Sequence, residues 1–206
     1  MTDIKLDLLR AGKIFIRSQL FETPPYPTED FTGKTIIVTG ANTGLGLEAA
    51  RHFTRLNCAK LILGVRTVSK GQAAKESILE STKRPSDCIE VWDLDLNSTA
   101  SVKAFAARAQ SLERVDVLLE NAGISTNEWA LKEGYEQTIQ VNVISTFLLA
   151  LLMLPKLRET AEKFGSLPHL TIVSSETHRF TKFQEAGAPD VYTKLNEQKS
   201  FNGTDR

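Results

Sequence analysis

The sequence predicts an α/β fold of the doubly wound, parallel-sheet class. Three observations point there: short β-branched apolar runs recur, stretches of helical periodicity alternate with them, and the first junction between the two is rich in glycine. At 206 residues and 41% hydrophobic, the chain can bury one sizeable core.

The first 30 residues stand apart from that alternation. Ile4, Leu8, Leu9, Ile14, Phe15, Ile16 and Leu20 are interleaved with Lys5, Arg10, Lys13 and Arg17, a basic amphipathic pattern interrupted at Gly12. Charges break every apolar run well short of the ~18 residues needed to span a bilayer, and a signal peptide would want an unbroken apolar centre. The pattern suits an arm packed on the domain or on a partner subunit, with peripheral membrane contact as the alternative. Thr23-Pro24-Pro25-Tyr26-Pro27 reads as a stiff linker, because proline fixes the backbone and resists helix.

The domain proper covers 31–206. Thr35 to Thr39 (TIIVT) reads as a buried parallel strand, and helical spacing follows from Leu45 through Leu47, Ala50, Phe53, Thr54 and Leu56. Leu61 to Val65 is the second strand, Ser69 caps a helix through Glu80, Ile89 to Trp92 is the third strand, and Ser101 to Leu112 is a helix. Val115 to Leu119 and Leu170 to Val173 supply two more strands. The segment Tyr135 to Lys163 between them reads as helical, with Pro155 as a kink or break. Phe147 to Leu154 is apolar all round, which fits a buried helix or a subunit interface. Residues 176–206, with Gly187, Pro189, Asn196 and Gly203, read as mostly loop with a short helical turn or two.

The chemistry is concentrated at the first strand-to-helix junction, Gly40-Ala41-Asn42-Thr43-Gly44-Leu45-Gly46. Glycine there lets the backbone turn tightly and approach a pyrophosphate, while the amides and positive dipole end of the new helix face the anion. With a strand before it and a helix after it, the turn points to dinucleotide binding. The 25 basic and 25 acidic residues cancel, leaving no electrostatic case for nucleic acid. Cys58 and Cys88 show no metal-ligand spacing and are too few for a disulfide framework, so no metal and a reducing, cytoplasmic setting are expected.

The spacing Thr39-Gly40-x-x-x-Gly44-x-Gly46, followed by Asn121-Ala122-Gly123 after a strand, resembles the short-chain dehydrogenase/reductase family. Asp95-Leu96 after the third strand, Asn142 in the long helix and Ser174-Ser175 after the Leu170 to Val173 strand fall in the family's order. The resemblance covers roughly residues 30–206, and the stretch 195–201 is similar to fungal reductases of secondary-metabolite pathways and to retinol-dehydrogenase-like members. It implies a Rossmann fold and hydride exchange between a nicotinamide cofactor and a small carbonyl or alcohol substrate. In the family, a Tyr-x-x-x-Lys motif follows the serine strand. The tyrosine exchanges the proton with substrate, and the lysine lowers its pKa and holds the nicotinamide ribose. No such pair occurs here, since Asn196 stands four residues after Tyr192, and Lys194 and Lys199 fall at other offsets. The expectation is a domain lacking the C-terminal part of the usual fold, inactive as it stands. Apolar surface on Phe147 to Leu154 and on the sheet edge is then expected to be uncovered, inviting a homo-oligomer or a full-length relative.

The end of the second strand bears on cofactor choice. A ribose hydroxyl calls for a carboxylate there and a 2′-phosphate for Arg or Lys; the sequence offers Arg66 and Lys70, which favours NADP. By resemblance Asp95 accepts from the adenine amino group, with Leu96 beside it carrying the ring edge, although a carboxylate preceding a helix is also an ordinary capping position. Asn121, Ala122 and Gly123 would keep the ribose side open, and Glu120 stands where many relatives have a second asparagine. Asn142 would hold a water in the proton relay, or else be a buried amide satisfied by backbone. Ser175, the second of its pair, would donate to the carbonyl oxygen that gains charge. His178 and Tyr192 read as loop residues.

Three readings remain open from the sequence: an NADP-dependent reductase, a non-catalytic nucleotide- or partner-binding module, and a redox-neutral isomerase or cyclase using Ser175 or His178.

Overall fold

Alternation of side chains across a strand assigns each buried strand residue to one of two layers, and both layers of this sheet are covered. The computed structural model describes residues 2–175 and 183–203, with side chains described from residue 12 onward. The sheet comprises β1 (Thr35–Thr39), β2 (Lys60–Val65), β3 (Ile89–Asp93), β4 (Val117–Glu120) and, later in the chain, β7 (His169–Ile172), in the order β3-β2-β1-β4-β7. All four pairings are parallel. The order reverses between β1 and β4, the topological switch point at which such sheets open a crevice.

Helices α2 (Gly44–Arg55) and α3 (Val68–Thr82) cover one face, α4 (Thr99–Gln110) and α6 (Thr146–Phe164) the other. Ile36 and Val38 pack with Ala50, Ala74 and Ile78 on the first side. Ile37 and Leu118 pack with Phe105, Leu149 and Met153 on the second. Cys58 and Cys88 are both buried and unbridged in the first layer, and burial pushes the Cys58 thiol up to about 12.

The segment before α6 departs from the sequence expectation. Tyr135 does not begin a helix. Leu131–Lys132 (β5) and Tyr135–Glu136 (β6) form an antiparallel hairpin whose two turn residues, Glu133 (φ 49°) and Gly134 (φ 89°), are both left-handed, the geometry that matches the twist of a two-residue hairpin. The helix starts at Gln137, with a short α5 (Gln137–Ile139) running into a π turn over Gln140–Ser145. Hydrogen bonds within that turn suit its wider spacing: Thr146 Oγ1 donates to the Val141 carbonyl at 2.9 Å, and Gln140 Nε2 to Ser145 Oγ at 3.0 Å. The irregularity lies here, and α6 continues through Pro155 without a break in its assignment.

By length and composition the run Gln137–Phe164 is apolar enough to cross a bilayer. Its Val141, Leu149, Met153 and Leu157 are core residues packed with α4, while Val143, Phe147 and Leu151, spaced four apart, are exposed. The apolar stretch is therefore half core and half surface.

The arm is one continuous helix, α1 (Thr2–Phe21), running through Gly12. Its Ile14, Phe15, Ile16, Leu20 and Phe21 are exposed and so are not packed on the domain. The proline-rich linker is tied down: Arg55 lies 4.2 Å over the Tyr26 ring and donates to the Pro27 carbonyl at 2.7 Å, while His52 meets the same ring edge-on at 5.0 Å.

Gly71 in α3 packs tightly on the sheet, where an added Cβ would lie 2.5 Å from Val91 Cγ1 and 2.7 Å from Val65 Cγ2. Both neighbours are β-branched and stiff. Gly71→Ala is expected to lower stability by about 1–2 kcal/mol, overpacking outweighing the gain in helix propensity. Urea denaturation checks this, and a variant as stable as the parent would show that α3 can slide.

Candidate cofactor site

Two close approaches at the switch point need glycine. Gly40 sits at φ +66°, and a Cβ there would lie 2.9 Å from Ala122 Cα. Gly46, in the first turn of α2, lies directly against the Gly40 carbonyl and the Asn121 side chain, where a Cβ would overlap both. Thr39 and Asn121 hold this approach together. Thr39 Oγ1 accepts from the backbone amides of Asn121 (3.1 Å) and Ala122 (3.0 Å), and Asn121 Nδ2 donates to the Thr39 carbonyl at 3.1 Å and the Gly40 carbonyl at 3.4 Å. The β1 and β4 ends are thereby fixed to each other.

The turn opens into a cavity of about 320 Å³. Of the predicted residues, Gly40, Asn42 and Thr43 line it from the glycine turn, and Asn121, Ala122 and Gly123 from the β4 end. Arg66 and Lys70, both exposed, stand beyond β2, with Asp95 and Leu96 beyond β3. Gly44, Leu45 and Gly46 form the first turn of α2 beside the cavity. The Thr43 side chain makes no capping hydrogen bond and no acidic residue lies in that first turn, so the amide end of α2 stays available to an anion.

Asp95 is not the cap of α4; Ser98 takes that position and accepts from the Ser101 amide at 3.3 Å. Asp95 Oδ1 instead accepts from the backbone amide of Asn97 at 2.9 Å and its Nδ2 at 2.8 Å. Asn97, Thr67, Ile124 and Val141 also line the cavity and were not singled out by sequence. Only Asn97 carried a signal, its place two residues after Asp95, where an Asx turn is common.

The two residues expected to act on substrate lie elsewhere. Asn142, in the π turn, is clamped to backbone, its Oδ1 accepting from the Ile124 amide at 2.9 Å and its Nδ2 donating to the Ile124 carbonyl at 2.8 Å. Ser175 is exposed beyond the end of β7 and does not line the cavity. His178 falls outside the described residues. Tyr192, in α7 (Val191–Leu195), stacks edge-on against Tyr135 at 5.7 Å and serves the packing of residues 183–203 on the hairpin.

A short chain dehydrogenase family model matches residues 34–178. The chain belongs to the short-chain dehydrogenase family. The short chain dehydrogenase atnD of Emericella nidulans is 50% identical over 194 residues, covering 93% of this chain and 61% of that protein. The short chain dehydrogenase sol3 of Alternaria solani is 47% identical over 194 residues, covering 93% and 67%. The chain thus spans about three fifths to two thirds of these relatives. Among solved structures, an uncharacterised protein of Mycobacterium paratuberculosis aligns with a TM-score of 0.64 at 29% identity, covering 86% of this chain and 57% of that one. A short chain dehydrogenase of Escherichia coli CFT073 complexed with NADPH aligns with a TM-score of 0.59 at 26% identity, covering 82% and 68%.

This short-chain dehydrogenase carries an unusual carboxyl beneath the site. Glu120, the last residue of β4, is 3% exposed, and neither carboxyl oxygen has a hydrogen-bond partner among the described residues. Its backbone is held conventionally, its carbonyl accepting from the Val173 amide at 2.9 Å. Burial alone pushes the carboxyl up to about 8. A group whose folded pKa is raised binds its proton more tightly in the native state. Its contribution is therefore fully present below the ordinary glutamate pKa and is lost as pH rises from about 4.5 through about 8. Glu120→Gln, a neutral isostere, is expected to flatten stability over that window and to gain on the order of 1–3 kcal/mol at pH 8.5. Denaturant titrations at pH 5, 7 and 8.5 check it; equal slopes for parent and variant would mean that Glu120 ionises without penalty.

Proposed function

We propose that this protein binds NADP(H) in the switch-point cavity and exchanges hydride with a small carbonyl or alcohol substrate of fungal secondary metabolism, in the cytoplasm. The observation that carries the cofactor choice is the placement of Arg66 and Lys70, two exposed cations, on the same cavity as the glycine turn. A 2′-phosphate on the adenosine ribose is met by a planar guanidinium and a second positive charge. The pyrophosphate lies against Gly40 and the amide end of α2, and Asp95 accepts from the adenine amino group. The fit is supported by backbone approaches that any Cβ would block, and by the NADPH held in the Escherichia coli relative.

When bound, the cofactor supplies the hydride. What these residues contribute is binding and orientation, with Ser175 as the hydroxyl that donates to the substrate oxygen as it gains charge. The tyrosine and lysine of the family's proton transfer are not found in these 206 residues, so turnover is proposed for the whole protein and binding for the residues in hand. The fungal relatives support the metabolic setting. Pairing through the exposed stripe of Val143, Phe147 and Leu151, with a second copy or a full-length relative, belongs to the same proposal.

Arg66→Ala is expected to weaken NADPH by roughly 10- to 100-fold, the loss of a charge-assisted contact worth about 1.5–3 kcal/mol, while leaving NADH within twofold. An equal loss for both nucleotides would show that Arg66 does not read the 2′-phosphate. Gly40→Asp, which adds bulk against Ala122 and charge against the pyrophosphate, is expected to abolish binding of both; retained affinity in calorimetry would remove the pyrophosphate from this turn.

A further inference from the structure

We infer that Gln137 is a positioning residue for adenine recognition, acting through Asn97 to fix the direction of the Asp95 carboxylate. The inference rests on the cavity being a dinucleotide site, as proposed above. Gln137 Nε2 donates to Asn97 Oδ1 at 3.0 Å, and Asn97 Nδ2 donates in turn to Asp95 Oδ1 at 2.8 Å. The chain has only one workable direction. A carboxylate only accepts, so Asn97 must turn its NH₂ towards Asp95 and its oxygen away, and that oxygen must then meet a donor. Gln137 supplies it.

The Asn97 backbone amide reaches the same oxygen at 2.9 Å, so two donors converge on Asp95 Oδ1 and leave Oδ2 for a ligand amino group. Asp95 and Asn97 both line the cavity, whereas Gln137 does not.

Gln137 is itself fixed. Its backbone amide donates to the Ala130 carbonyl at 2.9 Å, and the preceding Glu136, fully buried, accepts from the Thr138 and Ile139 amides to cap the helix that Gln137 begins. The hairpin ahead of it braces the same loop from a second point, Glu133 accepting from the Thr99 amide at 3.1 and 3.2 Å. On its far side the hairpin is gripped by Asn196, whose Oδ1 accepts from the Glu136 amide at 2.7 Å and whose Nδ2 donates to the Gly134 carbonyl at 2.8 Å. The hairpin thus acts as a strut between residues 183–203 and the adenine loop.

The test compares reduced NADP with its reduced hypoxanthine analogue, in which a keto oxygen replaces the adenine amino group and N1 carries a proton. The full 206-residue chain is used, with affinity read by nucleotide fluorescence and folding by thermal midpoint. Wild type is expected to prefer NADPH by about tenfold. Gln137→Glu keeps the shape but places an acceptor opposite the Asn97 oxygen, so Asp95 loses its orienting donor. That preference should fall below threefold, with affinity for the hypoxanthine analogue and the thermal midpoint unchanged. Gln137→Met, which removes the donor without adding charge, should lose the preference in the same way, and it serves if the charged variant folds poorly. Variants that keep the tenfold preference would overturn the relay while leaving the site reading intact. An equal loss for both nucleotides would make Gln137 merely structural and overturn it also. A wild type indifferent to the amino group would overturn the adenine role of Asp95, and this inference with it.

Discussion

The site depends on the clamp between Thr39 and Asn121 at the point where the strand order reverses. One hydroxyl accepts two consecutive backbone amides, and one side-chain amide donates to the carbonyls of both residues leading into the glycine turn. Without it, two strand ends would separate where Gly40 and Gly46 bring backbone closest to backbone. Asn121 is therefore an architectural residue first. Its nitrogen is taken up by protein, and what it offers a ligand is a fixed wall.

A second layer of organisation lies behind that wall. Asn142 joins the π turn to Ile124, one residue after Gly123, so the long helix and the β4 end share a pair of hydrogen bonds. Glu120 lies immediately before Asn121 at the end of β4, its carboxyl without a hydrogen-bond partner among the described residues. A buried neutral acid tolerates that position; a charged one does not, and this ties the behaviour of the strand end to pH. The cations at the cavity rim behave differently. Arg66 and Lys70 are exposed on the cavity lining, where a phosphate can reach them.

Much of this was legible in the residues. Each of the five parallel strands was found to within about two residues, and the central β1, β2 and β4 are legible because a strand buried on both faces reads as an apolar run such as TIIVT. The glycine turn was legible because close backbone approach leaves no alternative residue. The hairpin was not. Leu131-Lys132 and Tyr135-Glu136 are two-residue strands, too short to show alternation, and their one signal, Gly134 after a charged residue, reads equally well as the boundary ahead of a helix beginning at Tyr135. The π turn was equally hidden, since it changes spacing by one residue without changing composition. Asn142 and Ser175 were placed by family order, which carries residue identity but not what each side chain touches. The exposure of α1 is likewise tertiary information: an amphipathic pattern specifies a face without saying what lies against it.

The central claim is that one cavity at the β1–β4 switch point takes the whole adenosine half of NADP(H). A crystal structure of the chain with NADPH tests it most directly. The account predicts the pyrophosphate against Gly40 and the first turn of α2, the 2′-phosphate between Arg66 and Lys70, and the adenine amino group at Asp95 Oδ2. A nucleotide bound elsewhere, or bound here with its 2′-phosphate turned to solvent away from Arg66, would contradict it.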